Sequence, residues 1–104
     1  MSFYTVKIGS DRGLLAFEPK ELALRPGNTI EWVCNKLGPH NVVFDPARVP
    51  GGDAELAKAL SCTAMMSAGQ TATTVLPADA PTGDYRFYCA THRGASGAGK
   101  LTVH

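Results

Sequence analysis

Residues 26–34 read Pro26-Gly27-Asn28-Thr29-Ile30-Glu31-Trp32-Val33-Cys34. The first three are turn chemistry, because proline presets φ and glycine tolerates the positive φ that other residues avoid. The next six alternate, with Ile30, Trp32 and Cys34 on one side and Thr29, Glu31 and Val33 on the other. A period of two is that of a strand with one face in a core. The same pattern recurs outward from this stretch. Upstream, Phe3 to Ile8 sets Tyr4, Val6 and Ile8 on one face, Leu14 to Phe17 follows a turn at Gly13, and Glu21 to Leu24 alternates. Downstream lie Asn41 to Phe44, the Thr- and Val-rich Thr71 to Leu76, the aromatic Tyr85 to Cys89 after a turn at Pro81-Thr82-Gly83-Asp84, and Lys100 to Val103. Asp53 to Leu60 differs: it holds good helix formers, Asp53 can cap it, and Leu56 and Leu60 fall on one face. About eight strands at roughly ten-residue spacing, with one short helix, predict an all-β Greek-key sandwich or barrel.

Composition narrows the function. The chain has 104 residues, 44% of them hydrophobic, which suits a single domain over 1–104 with one core and no need of a disulfide framework. Ten Lys and Arg against nine Asp and Glu leave a formal charge of +1, without the concentrated basic excess of a nucleic-acid binder. No apolar run approaches the ~18 residues of a membrane span. The start, MSFYTVKIGSD, alternates and carries charge early, unlike a secretory segment. The expectation is therefore a cytoplasmic protein, or a mature form whose targeting segment is gone. Three cysteines leave at least one thiol unpaired or on a metal.

The chemistry concentrates in Tyr88-Cys89-Ala90-Thr91-His92-Arg93-Gly94-Ala95. Cys89 ends a strand, and His92 follows on a loop rich in glycine that can curl its imidazole back toward the sulfur. His40 lies far upstream in Gly38-Pro39-His40-Asn41, where proline restricts the backbone beside it. One thiolate and two imidazoles form the His2Cys set of a blue-copper electron-transfer site. A structural zinc site would want a fourth closed ligand. Spacing alone leaves open a plainer reading, a buried cysteine with two surface histidines.

The wider sequence resembles the plastocyanins of the blue-copper cupredoxin family, particularly the cyanobacterial ones. The likeness rests on Asn35-Lys36-Leu37-Gly38-Pro39-His40-Asn41 and Cys89-Ala90-Thr91-His92-Arg93-Gly94-Ala95, in that order. It extends through Val6-Lys7-Ile8-Gly9-Ser10-Asp11, Phe17-Glu18-Pro19, Gly83-Asp84-Tyr85-Arg86-Phe87-Tyr88 and Gly99-Lys100-Leu101-Thr102-Val103. The resemblance implies an eight-stranded Greek-key cupredoxin β-sandwich holding one copper ion that cycles between Cu(I) and Cu(II). It implies a monomeric carrier in the thylakoid lumen, not an enzyme, taking electrons from cytochrome f of the cytochrome b6f complex and passing them to photosystem I. On this likeness His40, Cys89 and His92 match copper ligands, and the side chain of Asn41 matches a tie between the two ligand loops. Leu15, Gly13, Pro39 and Gly94 match an apolar docking patch, Tyr88 a surface aromatic beside the ligand cysteine, and Arg93 a cationic docking residue.

One position departs from the pattern. Five residues after the loop histidine the family has methionine as a long axial contact, and here Gly97 stands there. Met1, Met65 and Met66 belong to other segments, so the axial place is expected to be vacant, filled by water, or approached by a carbonyl such as that of Gly38. An open position raises two other functions: small-molecule redox catalysis, or copper storage and delivery. No close pair of carboxylates suggests acid–base work. Cys34 and Cys62 read as separate buried thiols, with a disulfide as the alternative. Trp32 and the Met65-Met66 pair are expected in the core, and His104 in solvent.

Overall fold

The computed structural model describes residues 3–9, 17–35, 39–89 and 98–104. Nine strands appear among them: β1 (Phe3–Ile8), β2 (Phe17–Glu18), β3 (Glu21–Leu24), β4 (Thr29–Cys34), β5 (His40–Phe44), β6 (Cys62–Met66), β7 (Thr71–Val75), β8 (Gly83–Tyr88) and β9 (Ala98–Val103). They form two sheets, ordered β2-β1-β4-β7 and β3-β9-β8-β5-β6. The expected sandwich is therefore present. Sequence reading found every strand but β6, whose residues bury only Met66 fully and so show no clean alternation. The strand predicted from Leu14 is seen at Phe17, and residues 14–16 lie outside the described residues.

The helix α1 (Ala54–Leu60) forms where helix formers gather. Asp53 caps it, its Oδ1 accepting from the Glu55 and Leu56 N–H groups at 3.1 and 3.2 Å. These satisfy two of the N–H groups a helix start leaves without partners. Ala57 and Leu60 are buried, and Leu56 packs partly against the core.

The two sheets close over an aromatic cluster. Trp32 of β4 meets Phe87 of β8 edge-on at 5.1 Å between ring centres, Phe17 at 6.0 Å and Phe44 at 6.3 Å. Edge-to-face contact sets the positive rim of one ring on the negative face of the next. The indole keeps its polar atom satisfied: Nε1–H donates to Thr74 Oγ1 at 2.8 Å, and that hydroxyl donates to the Leu60 carbonyl at 2.9 Å. The placement of Trp32 in the core is borne out.

Gly99 shows how tightly β8 and β9 close. The two strands pair antiparallel with Phe87 opposite Gly99 and Tyr88 opposite Ala98. A Cβ on Gly99 would come within 2.5 Å of Phe87 Cζ and 2.9 Å of the Lys20 carbonyl oxygen. The Gly99→Ala change is therefore expected to cost about 1–3 kcal/mol, the usual range for overpacking. Chemical denaturation of the metal-free protein measures it; an unchanged midpoint would mean that β9 yields to the methyl group.

Candidate metal centre

The strand ends that carry His40 and Cys89 meet at one pole of the sandwich. β5 pairs antiparallel with β8, Val43 opposite Tyr88 and Phe44 opposite Phe87. The chain leaves β8 at Tyr88 and enters β5 at His40, so this pairing brings positions 40 and 89 together although 49 residues separate them. His40 Nδ1 lies 3.6 Å from Cys89 Sγ. Both residues are buried, at 1% and 2% exposure, which removes competing water from the sulfur and the ring.

The pair suits a shared metal ion. Bonds of about 2.0 Å to nitrogen and 2.3 Å to sulfur, as imidazole and thiolate keep on a first-row divalent ion, would open an angle of roughly 110° across this gap. Such an angle belongs to a trigonal or tetrahedral site, so the separation fits the His2Cys chemistry. Asn41 adds a second hold on the sulfur, its backbone N–H pointing at Cys89 Sγ from 3.5 Å. An N–H dipole aimed at sulfur draws charge away from any metal that the sulfur binds.

Several expectations gain a place or a correction here. Asn41 is buried, and its Nδ2 donates to the Thr63 carbonyl of β6 at 3.1 Å. The tie seen for its amide thus runs to the irregular stretch of β6. That stretch exists because the β5–β6 register slips between His40, opposite Met66, and Val42, opposite Cys62. Met66 is consequently a strand neighbour of His40 and 5% exposed, which corrects the expectation that every methionine lies in a remote segment. Met65 is 49% exposed and not in the core. No signal in the sequence could have found these relations, since they depend on an undetected strand and its slipped register.

Pro39 is exposed beside His40, and Tyr88 is half-buried at the end of β8. His92, Arg93, Gly94, Gly97, Leu15, Gly13 and Gly38 lie outside the described residues. Among the described residues no cluster of three or more His, Cys, Asp and Glu side chains converges as a metal site; His40 and Cys89, two of the three residues expected as ligands, are brought within 3.6 Å of each other. Cys34 and Cys62 are not joined by a disulfide. Cys34 is fully buried as expected, and burial is the main cause pushing its thiol above the ordinary range. Cys62 is only half-buried, its Sγ 3.5 Å from Thr74 Oγ1.

Comparison with known proteins places this geometry. The family model for copper binding proteins of the plastocyanin/azurin family matches residues 4–104. The chain belongs to the plastocyanin/azurin family. A plastocyanin of Nostoc punctiforme is 62% identical over 101 residues, covering 96% of this chain and 73% of that protein. A plastocyanin of Synechococcus sp. is 46% identical over 101 residues, covering 97% of this chain and 73% of that one. Among solved structures, the oxidized form of plastocyanin from Dryopteris crassirhizoma superposes with a TM-score of 0.78 at 30% identity, over 96% of this chain and 99% of that chain. This plastocyanin/azurin chain is thus a plastocyanin-type copper electron carrier with one copper ion as its cofactor. Among the described residues no helix is long and apolar enough to cross a membrane.

Proposed function

We propose that the chain holds its copper through His40, Cys89 and His92 and carries single electrons from cytochrome f to photosystem I in the thylakoid lumen. The observation that carries this reading is the buried approach of His40 Nδ1 to Cys89 Sγ at 3.6 Å. When bound, copper supplies a one-electron couple between Cu(II) and Cu(I). The protein does the rest. Cys89 and His40 offer a soft and a borderline donor from strand ends held by β5–β8 pairing, so the donors need move little when the charge at the site changes. Burial of both keeps water out, which limits solvent rearrangement during transfer. His92 is the ligand assigned to the solvent edge, where the electron enters and leaves.

Docking is assigned to the apolar patch of Leu15, Gly13, Pro39 and Gly94, with Tyr88 beside the ligand cysteine. Arg93 would steer an acidic partner. A formal charge of +1 provides little long-range attraction, so apolar contact carries most of the encounter. In this role the chain is a monomeric carrier, not an enzyme, and neither makes nor breaks substrate bonds.

Copper titration with optical and spin-resonance spectra tests the site. One equivalent of Cu(II) is expected to produce a thiolate-to-copper charge-transfer band, and its absence would overturn the assignment. Rapid electron exchange with reduced cytochrome f, without loss of metal, tests carriage against delivery. Steady consumption of oxygen or nitrite would instead favour catalysis at an open copper position.

Gly97 gives the site its individual character, because glycine brings no thioether to the axial place. The Gly97→Met change is expected to move the Cu(II)/Cu(I) equilibrium by on the order of tenfold, or ~59 mV for a one-electron couple. The shift runs toward Cu(I) if the thioether displaces an oxygen donor, and toward Cu(II) if it enters a dry position. Voltammetry of both proteins measures it. Unchanged potential and spectra would show that residue 97 does not face the metal.

A further inference from the structure

At the pole away from Cys89, the first sheet ends at Phe3 of β1 and Thr29 of β4, and the second at Leu24 of β3 and Val103 of β9. Residues of both sheets line a cavity there of about 240 Å³: Tyr4 from the first, Ala23 and Leu24 from the second, and Arg25, Asn28 and His104 beyond the strand ends. No aspartate or glutamate is among them. We infer that this cavity binds a small tetrahedral oxyanion of the phosphate type, held by Arg25, Asn28, Tyr4 and His104. The site stands apart from the copper reading, because none of its residues is an expected ligand of the metal.

The turn that presents Arg25 and Asn28 is held from within and from outside. The Arg25 N–H donates to Asn28 Oδ1 at 2.9 Å, and the Asn28 N–H donates back to the Arg25 carbonyl at 3.2 Å. Gly27, at φ +88°, lets the chain turn so that its N–H reaches the Leu76 carbonyl at 3.0 Å, while the Leu76 N–H donates to the Asn28 carbonyl at 2.9 Å. His104 is fixed next to this turn, its N–H donating to the Leu24 carbonyl at 3.0 Å and extending the β3–β9 pairing. Tyr4 is set from the other sheet, opposite Ile30 in the parallel β1–β4 pair. The backbone beneath the donors is thus ordered before any ligand arrives, which lowers the entropy lost on binding.

The chemistry left over on these side chains is donor chemistry. Because Asn28 Oδ1 accepts from the Arg25 N–H, the amide orientation is set and Nδ2 keeps both hydrogens for a ligand. Among the described residues the Tyr4 hydroxyl and the His104 ring have no hydrogen-bond partner, and the Arg25 guanidinium makes no ion pair. That guanidinium offers a planar fork of N–H groups matched to two oxygens of one anion. A carboxylate would be satisfied by the fork alone. Donors arriving from Tyr4, from the turn and from His104 suit an anion with oxygens on more than two sides. The cavity is smaller than the ~300–1,000 Å³ of drug-sized sites, so the ligand is small. Arg25 is exposed, and competition from water keeps the affinity modest.

The test titrates inorganic phosphate into the copper-loaded full chain, in its Cu(I) form and at constant ionic strength, and reads amide chemical shifts by nuclear magnetic resonance. The amides of Tyr4, Arg25, Asn28 and His104 are expected to move together and saturate with a Kd of about 1 mM, the scale of a few charge-assisted bonds open to water. The Val43 amide, on β5 near the metal pole, should stay in place. Arg25→Gln is expected to weaken binding about tenfold, and Tyr4→Phe, which removes only a hydroxyl, about threefold. Asn28→Asp keeps the oxygen that accepts from the Arg25 N–H but exchanges the donor for negative charge, and should abolish saturation. Acetate should bind about tenfold more weakly than phosphate. Absence of saturable shifts at the four amides overturns the proposal, as does wild-type affinity in both Arg25→Gln and Tyr4→Phe. Acetate binding as tightly as phosphate overturns the choice of a tetrahedral anion. Should Arg25→Gln fail to fold, Tyr4→Phe and Asn28→Asp decide: wild-type affinity in both overturns the site, and weakened binding supports it.

Discussion

The Cys89→Ser variant is expected to lose the thiolate-to-copper charge-transfer band entirely and to bind copper more than about 100-fold more weakly, beyond what loss of an outer hydrogen-bond partner alone costs. The reason is chemical: thiolate is the soft donor that a site serving both Cu(I) and Cu(II) requires, and a serine hydroxyl neither ionises near neutrality nor matches that softness. Serine is smaller than cysteine, so the buried strand end keeps its backbone path and the fold survives. Optical spectra and competition against a chelator of known affinity measure both effects. A persisting band would transfer the ligand role to another thiol. Cys34 is the one to examine, being fully buried with its Sγ 3.2 Å from the carbonyl oxygen of Met66, the strand partner of His40.

The second large effect concerns the core. Trp32 is fully buried and touches Phe17, Phe44 and Phe87, so Trp32→Ala removes the ring on which both sheets close. The expected cost is about 3–5 kcal/mol for a buried aromatic cut to alanine. It also leaves the Thr74 hydroxyl without its indole donor, although that hydroxyl keeps the Leu60 carbonyl as acceptor. For a domain with ordinary stability of roughly 5–15 kcal/mol, this threatens folding itself. Denaturant unfolding of the metal-free variant measures the loss. Trp32→Phe, which keeps an aromatic ring in the cluster, should cost distinctly less. Equal losses in the two variants would mean that the indole hydrogen bond, and not ring packing, governs the site.

How far the sequence can be read depends on the range of the interaction. The turn at Pro26-Gly27-Asn28, the alternation through Cys34 and the cap at Asp53 are local, and each appears where expected. β6 escaped notice because its outer residues are exposed in succession, Thr63, Ala64 and Met65, so periodicity carried no signal. Sequence order alone puts Met66 in a segment remote from His40, although it stands opposite it in the sheet. The same missing strand hid the Thr63 carbonyl that receives the Asn41 amide. Cys34 looked like one more apolar position on the Trp32 face, because spacing shows which side of a strand a sulfur takes but not what waits across the sandwich.

By itself, then, the sequence determined the class of fold and the short helix, and it supplied the candidate donors: a thiol after an aromatic strand and imidazoles in two distant motifs. These follow from alternation, turn residues and the chemistry of individual side chains, all of which are written locally. Only the tertiary structure decided which groups meet. It set His40 Nδ1 3.6 Å from Cys89 Sγ, turned the Asn41 N–H toward that sulfur, and brought the Cys34 thiol of one sheet within 3.2 Å of the Met66 carbonyl oxygen of the other. Each of these depends on strand register and on the closing of one sheet over another. Such relations arise from summed packing and pairing across the whole chain, and no short window of residues contains them.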